Sequence, residues 1–396
     1  MNKESFNDLL IAMTLCENGV SDLLFIPGRV PQLSCYGRLR SYTSDLLTEP
    51  VTAEMTGQLA DILMDGNALI SENFRRNGSC DCSYAVPGVA RFRVNIYSQA
   101  GHRAIVMRKL SNTVPQLEEL KVPAVFKHII DENSGLVFIT GATGTGKTTT
   151  LAAILNEINR TQDIHIVTLE DPIEYLHEPV RASFSQREYG KDFYNFSFGL
   201  KAALRQAPHA ILVGEIRDRE SMEVAITAGE TGHIVFTSLH TIDASQTINR
   251  ILGMFDKDEE ALMRQRLADA LRWVVSQRLV PRVDGQLQLV TEVMGNNLRS
   301  REVIINGESD KRNLHDIIET SVTPWGWHSF EQSLLNAVLA GDISPETALH
   351  YSNRKNQMQQ ALDKFTAGRV TTAVHKMKEP AALAETPDET PAETPA

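Results

Sequence analysis

Cysteine is scarce in this chain and confined to its N-terminal part: Cys16, Cys35, Cys80 and Cys82 are the only four among 396 residues. That excludes a disulfide-built scaffold. The C-x-C of Cys80 and Cys82 has no second Cys/His pair nearby, so reduced structural thiols are expected rather than metal ligands. Long apolar runs are also absent. None approaches the roughly 18 residues that span a bilayer, and the opening MNKESFNDLL has no basic region followed by an apolar core. A cytoplasmic location is the expectation. Excess positive charge is missing as well, since the formal net charge is −11. This argues against a duplex-binding surface over the whole molecule, while a local basic patch or a basic pore stays open. Aromatic residues are few, at 6%, and no basic, aromatic-rich patch of the nucleic-acid-binding kind stands out.

What remains is an ordinary globular composition, 42% hydrophobic and 22% charged, in a chain long enough for two or three domains. Phe6, Leu9, Leu10 and Met13 predict an amphipathic first helix, with Ser5 and Asp8 as its capping pair. Short strands are expected over residues 22–26 and 32–36, and a second helix under Met55, Leu59, Ile62 and Leu63. From Arg91 to Tyr97 the pattern alternates, so Phe92, Val94 and Ile96 face a core while Arg91 and Arg93 project together from the other face. These elements predict a small α+β domain over residues 1–111, closed by a linker at 112–123. Apolar strands separated by helical segments then predict a parallel sheet covered on both sides, with strands at 136–140, 164–169, 210–213 and 234–238. Each ends in polar or charged residues, where an open α/β sheet places its ligand site. A long helix is expected over 258–278, with Leu267, Leu271, Val274 and Val275 as its stripe, followed by helices near 314–318, 330–339 and after Ser344-Pro345. The core is thus placed at 124–290 and a helical C-terminal region at 291–369. Residues 370–396, with a proline-spaced acidic repeat, are expected to be disordered.

The run GLVFIT at 135–140 feeds directly into Gly141-Ala-Thr-Gly-Thr-Gly146-Lys147-Thr148, which matches G-x-x-x-x-G-K-[ST]. In such a loop backbone N–H groups cradle phosphates, the lysine reaches the β/γ oxygens and the hydroxyl holds Mg²⁺. Leu151, Ile154, Leu155 and Ile158 follow at helical spacing, so the loop lies between a strand and a helix N-terminus. Gly141, Ala142, Thr143, Gly144, Thr145, Gly146, Lys147, Thr148 and Thr149 are therefore the expected ATP-binding residues.

Hydrolysis needs a carboxylate near the metal and a group that orients the attacking water. Glu170-Asp171-Pro172-Ile-Glu174 follows one strand, with the proline placed to aim the second glutamate at the site. Glu215 follows Ile211-Leu-Val-Gly214, where a P-loop ATPase carries its Walker B carboxylate. Gly214 leaves room for phosphate, a metal-bound water or a neighbouring backbone. A strand bounded by His233 and His240 puts His240 and Thr241 at its carboxyl end, the place of a γ-phosphate sensor.

GATGTGKTTT at 141–150, TLEDPIEYLHE at 168–178, ILVGEIRD at 211–218 and AGETGHIVFTSLHT at 228–241 together resemble the Walker A, Asp-box, Walker B and His-box motifs of the secretion ATPases. The resemblance is closest to the type IV pilus retraction ATPases, the PilT and PilU group, and extends over about residues 5 to 360. It implies a RecA-like P-loop ATPase domain preceded by a small PAS-like α+β domain and followed by a helical C-terminal cap, assembled as a homohexamer. It also implies an enzyme using ATP and Mg²⁺, peripherally associated with the inner membrane through the platform protein of the pilus, with a paralogous retraction ATPase as a further partner and no nucleic acid. Carried over by position, Lys147 and Thr148 bind phosphate and Mg²⁺, Glu174 is the water-activating acid, Glu215 the Walker B glutamate and magnesium-side carboxylate, and His240 the downstream residue of the His box. Arginines of the first domain are expected to reach the phosphates; Arg91, Arg93 and Arg108 are the candidates, ahead of Arg103.

Two stretches depart from the retraction pattern: Arg299-Ser-Arg301-Glu-Val303 stands where AIRNL is usual, and Ala207-Pro208-His209 where a DPD is usual. They bear on coupling to pilus disassembly rather than on hydrolysis, and leave an accessory motor open. Assembly and export ATPases of the same family are the first alternative, although they generally carry a further N-terminal domain and a four-cysteine zinc segment in the C-terminal half. A RecA-like nucleic-acid motor or nucleotide-gated interaction module is the alternative from another class.

Overall fold

The computed structural model describes residues 1–111, 113–321 and 326–364. The N-terminal elements run α1 (Lys3–Leu15), β1 (Val20–Phe25), β2 (Gln32–Cys35), β3 (Arg38–Ser41), α2 (Ala53–Met64), α3 (Ala68–Asn77), β4 (Ser79–Val86), β5 (Ala90–Gln99) and β6 (His102–Lys109). The strands form an antiparallel sheet in the order β3-β2-β1-β6-β5-β4. Its core holds the expected stripe of α1, Phe6, Leu9, Leu10 and Met13, against Phe92, Val94 and Ile96 of β5. Period-two alternation leaves Arg91 and Arg93 on the opposite face, half-buried. The cap of α1 differs from expectation: Asn2, not Ser5, is the N-cap, and its side chain accepts the Ser5 N–H at 2.8 Å. Asn is as good an N-cap as Ser and stands three residues ahead of that amide. All four cysteines are free, and burial pushes the Cys80 and Cys82 thiols up to about 11 and about 12.

The second set runs α4 (Phe126–Ile130), β7 (Gly135–Thr140), α5 (Lys147–Thr161), β8 (His165–Glu170), β9 (Ser183–Glu188), α6 (Phe196–Ala203), β10 (Ala210–Val213), α7 (Arg219–Glu230), β11 (Ile234–Leu239), α8 (Ala244–Leu252), α9 (Glu260–Ala270), β12 (Leu271–Pro281) and β13 (Leu287–Gly295). Its sheet has the order β13-β12-β7-β11-β10-β8-β9, parallel from β12 through β9. Every residue of β7, β10 and β11 is buried, because helices cover both faces. The mixed α/β architecture, with two sheets and a helical C-terminal region, is the expected fold class.

One element differs from its sequence expectation. The helix expected over 258–278 stops at Ala270, and Leu271 onward is strand β12, in register beside β7. Leu267, Leu271, Val274 and Val275 satisfy helical spacing, but Trp273, Val274 and Val275 are all buried, as a strand covered on both faces requires, and β-branched residues favour it. Strand β9 was not expected either. It lies at the sheet edge with little apolar content, so no periodicity announces it.

The remaining helices are α10 (Leu298–Asn306), α11 (Leu314–Thr320), α12 (Phe330–Leu339) and α13 (Pro345–Tyr351). Ser344 caps α13 with proline at its first turn, as expected. By its contacts the chain divides into one unit of residues 1–279 and 289–329, and a second of 280–288 with the described residues from 330 onward. Within the second unit the buried Glu331 accepts hydrogen bonds from the Ser352 hydroxyl and the Asn353 and Arg354 amides. The tail at 370–396 lies outside the described residues.

Candidate active site

Chain order and spatial order differ in the large sheet, and that difference builds the site. The strands β7, β8, β10 and β11 stand side by side as β7-β11-β10-β8. Neighbouring strands lie about 4.8 Å apart, so groups at successive carboxyl ends fall within reach of one another. Those ends carry, in spatial order, the loop to Lys147, His240, Glu215 and Glu170. Contacts follow that order. Lys147 Nζ donates to the Gly141 and Ala142 carbonyls at 2.8 and 3.0 Å and lies 3.3 Å from His240 Nδ1. His240 Nε2 lies 3.2 Å from Glu215 Oε1, and Arg217 Nη2 donates to Glu215 Oε2 at 2.8 Å. With lysine donating to Nδ1, the imidazole is left to donate from Nε2 to the carboxylate, the tautomer its partners dictate.

The electrostatics keep the Glu215 carboxyl ionised. Burial pushes the Glu215 carboxyl up, but Arg217 and His240 together hold it below the usual carboxylate range. Burial lowers Lys147, and the Glu215 charge works against that fall. The loop itself depends on Gly141, whose φ is +143° and where a Cβ would stand 2.6 Å from both the Gln277 carbonyl and Thr145 Oγ1. At Gly214 the neighbour is backbone: a Cβ would meet the Leu169 carbonyl at 3.4 Å. Backbone is thus in van der Waals contact with this glycine, one of the three expected neighbours.

A cleft of about 1120 Å³ opens over these strand ends. Thr143, Gly144, Gly146, Lys147, Thr148 and Thr149 line it, together with Glu174, Glu215 and His240 and, from the N-terminal sheet, Arg93 and Arg108. Arg93 Nη1 lies 3.8 Å from Glu174 Oε1, and Arg108 is paired with Asp22 at 2.9 Å. The other two arginines point elsewhere. Arg91 Nη2 donates to the Ile173 carbonyl at 2.8 Å, and Arg103 pairs with Asp61 of α2 and lies over the Phe74 ring.

Arg217 carries no role from sequence alone, and Glu170 enters there only as the first acid of the 170–174 segment. Arg217 sits two positions beyond Glu215, a spacing that in ILVGEIRD was open to inspection. Glu170 is buried, bonded by the Thr168 hydroxyl at 2.7 Å and by Gln186 Nε2 at 3.3 Å. Its burial raises the carboxyl from 4.5 to about 7. A raised acid favours folding in its protonated form, so this contribution is full below about pH 4.5 and is lost as pH rises through about 7. Glu170→Gln is expected to remove that loss. The gap between the denaturation midpoints of wild type and variant should shift toward the variant across this window; a gap independent of pH would contradict the assignment.

The chain matches known proteins over most of its length. The family model described as type II/IV secretion system protein matches residues 81–323. The chain is 38% identical over 332 residues to the type IV pilus retraction ATPase PilT of Pseudomonas aeruginosa, covering 84% of this chain and 94% of that protein. It is 35% identical over 355 residues to the type IV pilus ATPase PilU of the same organism, covering 89% of this chain and 90% of that one. Its fold superposes on a crystal structure of the pilus retraction motor PilT with bound ADP at a TM-score of 0.79, with 31% identity over 89% of this chain and 98% of that chain. A strand-end line of lysine, histidine and glutamate behind a phosphate loop, on a chain matched over most of its length, makes this protein a member of the type II/IV secretion system protein family.

Proposed function

We propose that the chain is an ATPase motor that couples hydrolysis to retraction of a type IV pilus, working as a homohexamer at the cytoplasmic face of the inner membrane against the pilus platform protein. The observation that carries the reading is the continuous line Lys147–His240–Glu215 at the strand ends, on a chain similar along most of its length to retraction ATPases. Lys147 and the loop amides hold the phosphates. Glu174, beside Arg93, orients the attacking water and accepts its proton. His240 bridges the lysine and Glu215, so loss of the terminal phosphate is felt at both. The Thr148 hydroxyl and the Glu215 carboxylate are hard oxygen donors lining one cleft, a set that suits Mg²⁺. When bound, the ion would neutralise charge developing on the phosphate oxygens.

Deleting the gene in the host tests the direction of the motor. Hyperpiliated cells that no longer twitch are expected, and bald cells would assign the chain to assembly instead. A second reading, an accessory motor beside a paralogous retraction ATPase, is favoured by Arg299-Ser-Arg301-Glu-Val303 at the start of α10 and by the similarity to PilU. On that reading the deleted cells retain surface pili and part of their motility.

A further inference from the structure

The backbone of the loop carrying Glu174 is held by side chains at every second residue. Glu188 Oε2 accepts the Ile173 N–H at 3.3 Å, and Arg91 Nη2 donates to the Ile173 carbonyl at 2.8 Å. Gln186 donates to the Tyr175 carbonyl at 2.8 Å and accepts the His177 N–H at 2.9 Å. Gln186 and Glu188 are alternate residues of β9, so they reach the loop from one face, in the way a neighbouring strand would. Arg91 is different in origin, because it stands on β5 of the N-terminal sheet. The carbonyl it holds belongs to the peptide group whose nitrogen is that of Glu174. Its strand neighbour on the same face, Arg93, meets the Glu174 carboxylate, and Ser83 of β4 donates to Glu188 at 2.7 Å. The N-terminal sheet therefore grips the loop directly at one peptide and again through the residue that holds its amide.

Arg91 is suited to this task. Its guanidinium is half-buried, and the nearby charges of Glu188 and Glu170 partly offset the burial that lowers it. A planar fork held in this way fixes a carbonyl more tightly than a flexible ammonium. It does not line the cleft, which separates it from Arg93 and Arg108.

We propose that Arg91 is a positioning residue for Glu174, acting through the Ile173 carbonyl, so that the placement of the water-orienting acid is set by the N-terminal sheet. This rests on the functional reading above. Misplacement of a reacting group by about 1 Å costs on the order of 10²-fold in rate, so Arg91→Ala is expected to lower kcat about 10- to 100-fold. KM for ATP and the affinity for ADP should stay within about threefold of wild type, because no nucleotide contact is lost. Arg91→Lys, which keeps a charged donor, should recover part of the loss. In a Glu174→Ala background Arg91→Ala should cost nothing further. Asn67→Asp serves as control, since it removes the 2.6 Å bond from Asn67, at the start of α3, to the Gly190 carbonyl in the turn after β9 while keeping the cap of α3; its kcat should match wild type.

Loss of ADP affinity in Arg91→Ala would make Arg91 a nucleotide ligand and overturn the proposal. So would unchanged kcat with a lowered melting temperature, an effect that persists without Glu174, or an equal loss in Asn67→Asp. Wild-type protein without ATP turnover would overturn the functional reading and this inference with it, whereas normal turnover in both wild type and Arg91→Ala overturns this inference alone.

Discussion

Lys147→Ala is expected to lower ATP turnover at least ~10²-fold while leaving the fold in place. The ammonium is held at the mouth of the loop by two backbone carbonyls and by His240, and its aliphatic stem is buried. On the proposed reading it would meet the terminal phosphate oxygens without first being ordered, and that is the condition under which a charge–charge contact is most effective in a transition state. A 10² loss corresponds to about 2.7 kcal/mol of barrier. The fold does not depend on it, since α5 is anchored by Leu151, Ile154, Leu155 and Ile158, all buried. Phosphate release and circular dichroism on the same preparation check both halves of the statement.

Glu215→Ala should lower turnover by a similar factor, at least ~10². Here the expected signature is a split between binding and chemistry. The carboxylate is kept ionised by Arg217 and His240, so it is available as an oxygen donor across the neutral range. On the proposed reading its removal would take away an oxygen donor for Mg²⁺ beside the reacting phosphate, while the loop amides that would hold the ground state remain. ADP affinity should remain close to wild type while kcat falls, measured by titration and by steady-state kinetics. Arg217 is largely exposed, so losing its partner costs little stability. A parallel fall in ADP affinity would make Glu215 a ground-state contact instead.

Much of this site was legible in the sequence because a parallel sheet writes itself plainly. Strands buried on both faces are continuous apolar runs, as β7, β10 and β11 are, and whatever follows such a run stands at the ligand edge. That logic located Lys147, Glu215 and His240 without a structure. It could not say that β11 lies between β7 and β10, which is why the histidine bridges lysine and glutamate. Strand β9 stayed hidden because its side chains serve as polar brackets rather than core. The helix drawn through Leu271 failed because four apolar residues at helical spacing also fit a strand buried on both faces. Arg91 shows the same limit at the level of one residue. Its strand and face were readable from alternation, but its partner lies 82 residues away on another sheet's loop, and spacing carries no record of that contact.

Phosphate release from Mg·ATP by the purified chain, run beside Lys147→Ala, is the most direct test of ATP cleavage over the strand-end line. Steady turnover by the wild type and a rate lower by ~10² or more in the variant is the predicted result. Equal rates in the two proteins, or no release by the wild type in any assembled state, would contradict it.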